Sequence, residues 1–324
     1  MTLFKTTRRR VLTGLAAASL LPTVALAQSW PERPVRVVVP YAAGGYTDTM
    51  ARMTAEGLTK AFGQTFIVEN KPGASGSIAA GEVARAAPDG YTLLFTPSPQ
   101  ILVVPEMRQA GYSRKDFVPI SAFCSSANVL GVTPAYPANT LREFIDHAKA
   151  NPGRFNYGSG GVGTFAHLVG ALFLSRTELD MEHITYKGGA HVSTALMGGE
   201  IEMYFGNPSE LLPLAESERI KLLAVSSAKP LPQKPELPRV SDVVPDFNLI
   251  VWQGLLAPTG TPAEIVEKLA TAVAAHAQDP GVKQKLFTMG VEPIGNTPAE
   301  FARMIDSEQA IHLEALKAAN VPLK

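Results

Sequence analysis

The feature that most constrains this chain is a repeated alternation of short β-branched runs with helical patterns, each junction marked by glycine or proline. Such alternation is the signature of a parallel α/β sheet. Val35-Arg36-Val37-Val38-Val39 has the composition of a buried strand, residues 40–47 form a glycine-bearing loop, and 48–62 is a helix with apolar positions Met50, Met53, Ala55 and Leu58. Strand 66–68, helix 77–86, the turn Pro88-Asp89-Gly90 and strand 91–95 complete a β-α-β-α-β unit. A second series follows, with helices 140–150, 163–175, 190–198 and 208–217 between strands 154–157, 182–185, 200–205 and 220–226. Two extended apolar segments, 118–132 and 249–257, connect the series. A chain that leaves one lobe, builds a second and returns sets two crossing strands side by side as a hinge, with a cleft between the lobes. The expected division is 28–126 for the first part of lobe one, 127–246 for lobe two and 247–324 for the return to lobe one. The last part is predicted to hold helices 262–277, 280–288 and 298–319, opened by Thr261-Pro262, Asp279-Pro280 and Thr297-Pro298 as cap followed by proline.

The first 27 residues stand apart from this pattern. Lys5 and Arg8-Arg9-Arg10 precede an apolar stretch from Val11 to Ala25, too short for the roughly 20 residues that span a bilayer, and Ala25-Leu26-Ala27 has the small-x-small form of a cleavage site. An export signal is expected over residues 1–27, with Thr7-Arg8-Arg9-Arg10-Val11-Leu12 fitting the twin-arginine type; an uncleaved anchor is the alternative. Lysine plus arginine and aspartate plus glutamate both number 29 in the whole chain. Since the leader carries cations and no acid, the remainder is mildly acidic. It has no basic cluster suited to a row of phosphates, so nucleic acid is not an expected partner. The single cysteine, Cys124, cannot form an internal disulfide and reads as a buried structural residue.

In an open parallel sheet, ligands bind beyond the carboxyl ends of strands. Four loops qualify: 41–48, 96–100, 158–164 and 186–190. Three are glycine-rich and lead into helices, which leaves amide hydrogens and the positive end of a helix dipole facing the cleft. That arrangement suits an anion, although glycine also serves tight turns. Gly158-x-Gly160-x-x-Gly163 matches a dinucleotide fingerprint, so an exported NAD(P)- or flavin-dependent oxidoreductase is the rival. Against it, Glu178 and Asp180 precede the next strand, where a ribose-binding acid belongs at that strand's end. Ser159 lacks the first glycine of a nucleophile elbow, and no histidine or cysteine spacing suggests a metal. Asp48 reads either as the cap of helix 49–62 or as a ligand contact; Lys187 is the only cation of these loops.

These residues resemble the tripartite tricarboxylate transporter receptors, also called Bug proteins, along the whole chain after the leader. The likeness is carried by Pro34 to Pro40, Ala43-Gly44-Gly45-x-Thr47-Asp48, Val68-Glu69-Asn70-Lys71-Pro72-Gly73, Ala87-Pro88-Asp89-Gly90-Tyr91, Asn156-Tyr157-Gly158-Ser159, Tyr186-Lys187-Gly188 and Gly254-Leu255-Leu256-Ala257-Pro258. The resemblance implies an α/β, two-lobed periplasmic binding protein of type II that has no cofactor or catalysis and passes a small carboxylate to an inner-membrane permease. The chain is expected to act as a monomer. Carried over by position, the ligand contacts would be Ala43, Gly44, Thr47, Asp48, Ser98, Ser159, Gly160, Thr164, His167, Lys187, Gly188 and Asn207. Three departures stand out: Tyr46 in place of a small residue, Pro97 and Pro99 around Ser98, and Gly206 where Phe-Asp-Asn is usual. The ring at Tyr46 and the missing acid at 206 point toward an aromatic or less polar carboxylate.

Overall fold

The computed structural model describes residues 30–107 and 110–321; the leader expected over 1–27 lies outside them. The chain runs β1 (Val35–Val39), α1 (Tyr46–Phe62), β2 (Phe66–Asn70), α2 (Ser77–Ala84), β3 (Thr92–Pro97), α3 (Pro99–Leu102), α4 (Val104–Met107) and β4 (Phe117–Ala127). It continues with β5 (Val129–Val132), α5 (Leu141–Lys149), β6 (Phe155–Ser159), α6 (Phe165–Thr177), β7 (Met181–Thr185), α7 (Gly189–Gly198), β8 (Met203–Gly206), α8 (Pro208–Glu216) and β9 (Lys221–Val225). The return comprises β10 (Ile250–Pro258), α9 (Ala263–Ala277), α10 (Pro280–Thr288), β11 (Glu292–Pro293) and α11 (Pro298–Ala318).

Two sheets result. The first has six strands in the order β11-β4-β10-β3-β1-β2, the second five in the order β7-β6-β8-β5-β9. Strands β1, β2 and β3 are parallel, as are β6, β7 and β8, while β4, β10, β5 and β9 enter their sheets through antiparallel pairings. The valines of β1 show why a continuous apolar run is needed in the middle of such a sheet. Val35, Val37 and Val39 pack into one core and Val38 into the other, all without solvent exposure.

The chain crosses between sheets twice, and the two crossings are bonded to each other. Strand β4 passes through Asn128 into β5, and Ile250 at the start of β10 pairs with Ala127. Ser226 locks the junction: its N–H donates to the Asn128 carbonyl, its hydroxyl accepts the Asn128 N–H at 3.0 Å and donates to the Leu249 carbonyl at 2.7 Å, and its own carbonyl accepts the Leu249 N–H. The side chain is fully buried, so each of these bonds forms away from competing water.

The terminal helix departs from the simple picture of a chain that returns to lobe one. It packs on β4 and also on α6 of the second sheet, and residues of α6 and α11 share one apolar core. Arg176 of α6 forms a two-point ion pair with Glu314 of α11, both bonds 2.8 Å. Two of the expected helix starts have the cap foreseen: Asp279 accepts the Gly281 and Val282 N–H groups, and Thr297 forms a capping box with Glu300. Thr261 does not cap. Its hydroxyl donates to the Pro258 carbonyl and closes the preceding turn, so the helix opens one residue later, after Pro262.

Candidate functional site

Four helices of nine residues or more begin at one cavity of about 560 Å³ between the sheets, and the one-turn α3 starts there at Pro99, because each follows a strand whose carboxyl end points there. Helix α1 starts after Gly45, α6 after Thr164, α7 after Gly188 and α8 after Asn207. Only α6 is capped, Thr164 accepting the His167 N–H; no side chain caps α1, α7 or α8. Uncapped first turns leave N–H donors and partial positive charge at the cavity wall. The glycines permit close approach of the loops. A Cβ on Gly160 would stand 3.2 Å from the Gly188 Cα, so the two loops of the second sheet touch through backbone, and Gly188 itself has φ +120°. A larger void of about 1020 Å³ runs along α6 to the end of α11, lined by Tyr157, His167, His183 and Glu314 among others, and of the four helix starts only that of α6 borders it.

Of the residues expected to contact a ligand, Ala43, Thr47, Gly160, Thr164, Lys187, Gly188 and Asn207 line this cavity. Of the other five, Asp48, Ser98, Ser159 and His167 are buried behind the lining and hold the loops in place, while Gly44 is exposed with its amide turned to Asp48. Helix α1 begins two residues before Asp48, which therefore lies inside the first turn and is no N-cap. Its carboxylate accepts the Gly44 N–H at 2.8 Å, Arg52 Nε at 3.0 Å and Asn70 Nδ2 at 2.9 Å. Burial raises this acid's pKa, but the donors from Arg52, Gly44 and Asn70 outweigh it and hold the carboxyl below its ordinary range. Gly44, with φ +83°, thus spends its amide on Asp48 while its neighbours face the cavity. Ser98 is fully buried, donating its N–H to the Trp252 carbonyl, with its hydroxyl 3.4 Å from His312 Nε2.

Ser159 and His167 form a second such brace. The Ser159 hydroxyl donates to the Gly161 carbonyl at 3.0 Å, accepts the Gly161 N–H at 3.1 Å and lies 2.7 Å from His183 Nε2. A hydroxyl has one proton to give, so all three contacts are satisfied when His183 carries its hydrogen on Nε2. His167 accepts the Gly163 N–H on Nδ1 and stacks on His183 with ring centroids 4.0 Å apart. Burial, helped by the neighbouring His183, lowers the His167 pKa to about 4, and burial also lowers that of His183. Two neutral imidazoles therefore buttress the glycine loop, whose amides Ser159 and His167 keep oriented. Glu178 and Asp180 lie at the start of β7, at the opposite end of the sheet from the glycine loop, because β6 and β7 are parallel. A dinucleotide site would need its acid beside that loop.

Sequence patterns missed several of the lining residues. Tyr41 comes from the first loop and its hydroxyl accepts Gln100 Nε2 at 3.0 Å. Asn128 and Gln253 reach the floor because the crossing strands bring them there, and Tyr204 and Glu210 close the far side. The acid missing at 206 has a steric explanation. A Cβ on Gly206 would meet the Tyr204 ring at 2.5 Å and Leu211 at 2.8 Å, so the tyrosine takes the space that a side chain at 206 would use. An acid nevertheless reaches the cavity from α8, as Glu210, which the Tyr204 hydroxyl bonds at 3.1 Å. Burial lifts its pKa above the usual value, against the lowering effect of Tyr204 and Asn207. Tyr46 lines the cavity half-buried, its hydroxyl 3.4 Å from Ser126 Oγ.

Comparison with known proteins gives the same architecture at high coverage. A UPF0065 protein of Bordetella pertussis is 34% identical over 302 residues, covering 93% of each chain. The solved structure of R. palustris Rpa4515 with adipate is 34% identical, superposes with a TM-score of 0.79 and covers 90% of this chain and 99% of its own. The periplasmic binding protein BugD is 31% identical with a TM-score of 0.77, at 90% and 99% coverage. The sequence profile described as "Tripartite tricarboxylate transporter family receptor" matches residues 50–320, which include the starts of α6, α7 and α8 and all the crossing strands. With helix starts converging between two sheets joined by bonded crossings, and with these relatives along nearly its full length, the chain belongs to the tripartite tricarboxylate transporter receptor family and has its two-lobed type II binding-protein fold.

Proposed function

We propose that the chain is an extracytoplasmic receptor that captures a small carboxylate in the cavity between its sheets and delivers it for uptake. The observation that carries this reading is the convergence on one cavity of helix starts without side-chain caps, those of α1 and α7 above all, since at α8 Pro208 has no N–H and the Glu210 N–H is taken by the Asn207 carbonyl. A carboxylate supplies the acceptor oxygens those amides lack, at about 1.5–3 kcal/mol for each charged hydrogen bond. Ala43, Thr47, Gly160, Thr164, Lys187, Gly188 and Asn207 are the proposed contacts, with Asp48, Ser159 and His167 setting the loops. No serine, threonine or cysteine of the lining is bonded to a general base, and the Tyr204 hydroxyl beside Glu210 is buried and held far above its ordinary pKa, which favours reversible capture over turnover. A relative solved with adipate and the family's description support a carboxylate ligand and, in a cell, a tripartite permease as partner. No helix among the described residues is long and apolar enough to cross a membrane. Together with the leader expected over 1–27, this supports a periplasmic location.

Thermal-shift titration with aliphatic and aromatic mono- and dicarboxylates tests the proposal. At least one class is expected to raise the melting temperature in proportion to the logarithm of its concentration. Thr47→Val and Thr164→Val are expected to weaken the best ligand at least tenfold. Full affinity in both variants would overturn the site, and a purified protein with the absorbance of bound flavin or nicotinamide would overturn the receptor reading.

A further inference from the structure

At the far side and floor of the cavity the chemistry changes sign. The loops of the wall present N–H groups and Lys187, whereas the floor presents oxygens without donors. Glu210, on the first turn of α8, lines the cavity, and the groups that influence its ionisation are Tyr204 and Asn207, with no cation among them. Its Oε1 lies 2.5 Å from where a Cβ on Gly189 would stand, so the carboxylate is wedged beside the opening of α7. Asn128 is 3% exposed and commits Nδ2 to the Phe205 carbonyl at 2.8 Å, leaving Oδ1 without a donor; Gln253, 2% exposed, likewise has Oε1 without one. Buried acceptors in that state are costly unless a ligand or water supplies the hydrogen.

A second carboxylate on the ligand has no hydrogen to give at neutral pH and would stand against Glu210. An ammonium group has three donors and a positive charge. We infer that the ligand is an amino-carboxylate: its carboxylate meets the uncapped start of α1, and its ammonium pairs with Glu210, beside the starts of α7 and α8, and takes the open acceptors of Asn128 and Gln253. Glu210 is thereby the residue that selects amino-carboxylates over dicarboxylates. The inference rests on the carboxylate-receptor reading, and it departs from the less polar carboxylate to which the missing acid at 206 points in the sequence. Gly206 makes it a property of this chain, since the acid comes from the helix when the strand end has no room for one.

The test is calorimetric titration of the wild type and Glu210→Gln at pH 7.5 with matched probes: alanine against propanoate, and 4-aminobutanoate against butanoate and succinate. In the wild type the amino member of at least one set is expected to bind ten times or more tighter than its partners. Glu210→Gln is expected to cut the amino member's affinity at least tenfold more than that of the unsubstituted acid. On acidification the wild-type preference is expected to fall as Glu210 takes up a proton, a pH dependence absent in the variant. The inference is overturned if succinate is the tightest probe, if it gains from Glu210→Gln, or if the amino preference is the same in both proteins. Binding of carboxylates without that discrimination leaves the receptor reading standing, while failure of every carboxylate to bind the wild type removes both. If Glu210→Gln melts well below the wild type, Tyr204→Phe replaces it. That variant keeps the charge and frees Oε2, so a preference for the amino member retained in Tyr204→Phe supports the pairing, and its loss overturns it.

Discussion

Glu308 provides a quantitative test of the packing behind the cavity. It projects from α11 toward Trp252 on the crossing strand β10; its Oε2 is shielded from solvent, and the buried Trp252 indole N–H is the donor that bears on it. Burial pushes its pKa from the ordinary 4.5 to about 8, with the nearby indole opposing the rise. An acid whose folded value is raised binds more protons in the folded state, so it lowers stability as pH rises from 4.5 to about 8. At about 1.4 kcal/mol per pH unit the whole interval would amount to about 5 kcal/mol; with the carboxyl half-shielded and able to relax, about 2 kcal/mol is expected. Glu308→Gln keeps the shape and removes the charge. His312 and His167, held neutral with values near 4, make stability rise between about 4 and 6.5 in wild type and variant alike, so they cancel in the difference. Scanning calorimetry from pH 4 to 9 should therefore show equal melting temperatures at pH 4.5 and a growing advantage for the variant, about 4 °C by pH 8.5. A difference that is flat with pH, or that favours the wild type at high pH, would refute the account of Glu308 as a buried acid with no cation to offset its burial.

Asp48→Asn should lose about 1–3 kcal/mol at pH 7 and weaken the ligand at least tenfold, because the amide cannot accept from Gly44, Arg52 and Asn70 together. Since the folded pKa of Asp48 is depressed, the wild-type advantage is present above pH 4 and fades as pH falls below it; chemical denaturation at pH 7 and pH 3 compares the two. Gly206→Ala should destabilise by about 1–3 kcal/mol through the clash with Tyr204 and Leu211, and an unchanged melting temperature would refute that close packing. Arg176→Ala should cost no more than about 1 kcal/mol, and less in high salt, because Glu314 is half exposed and the pair is screened. A loss that persists at high salt would instead identify packing over Phe247 as the larger effect.

The elements of this protein were legible because their causes are local. Valine runs buried on both faces, glycine loops after strands and the pairs Asp279-Pro280 and Thr297-Pro298 each act within a few residues of themselves. Most of the expected strands and helices lie within one or two residues of their bounds, β8 starting three residues late, while α3, α4 and β11 had no expected counterpart; the crossing of the two extended segments followed from the order of elements. Thr261 was misjudged because a hydroxyl can serve the preceding turn as well as the next helix, a choice settled by backbone direction at Gly260.

The cavity has a different logic. Whether a loop residue faces a ligand or the layer behind depends on glycine dihedrals at 44, 163 and 188, and the sequence contains no record of them. Ser98, Ser159 and His167 carry the residue types of a binding site, yet they brace loops from behind: Trp252 and His183 reach the two serines from other strands, and the His167 ring turns back onto the Gly163 amide. Glu210 has no local mark that separates it from any solvated helix glutamate. Sequence by itself determined two α/β lobes, their hinge and a set of donor-rich loops, since periodicity and turn chemistry act over short spans. Only the tertiary structure decided that Asn128, Gln253 and Glu210 face those loops across one cavity, because that meeting depends on where distant strands end and on the space a single tyrosine ring takes from residue 206.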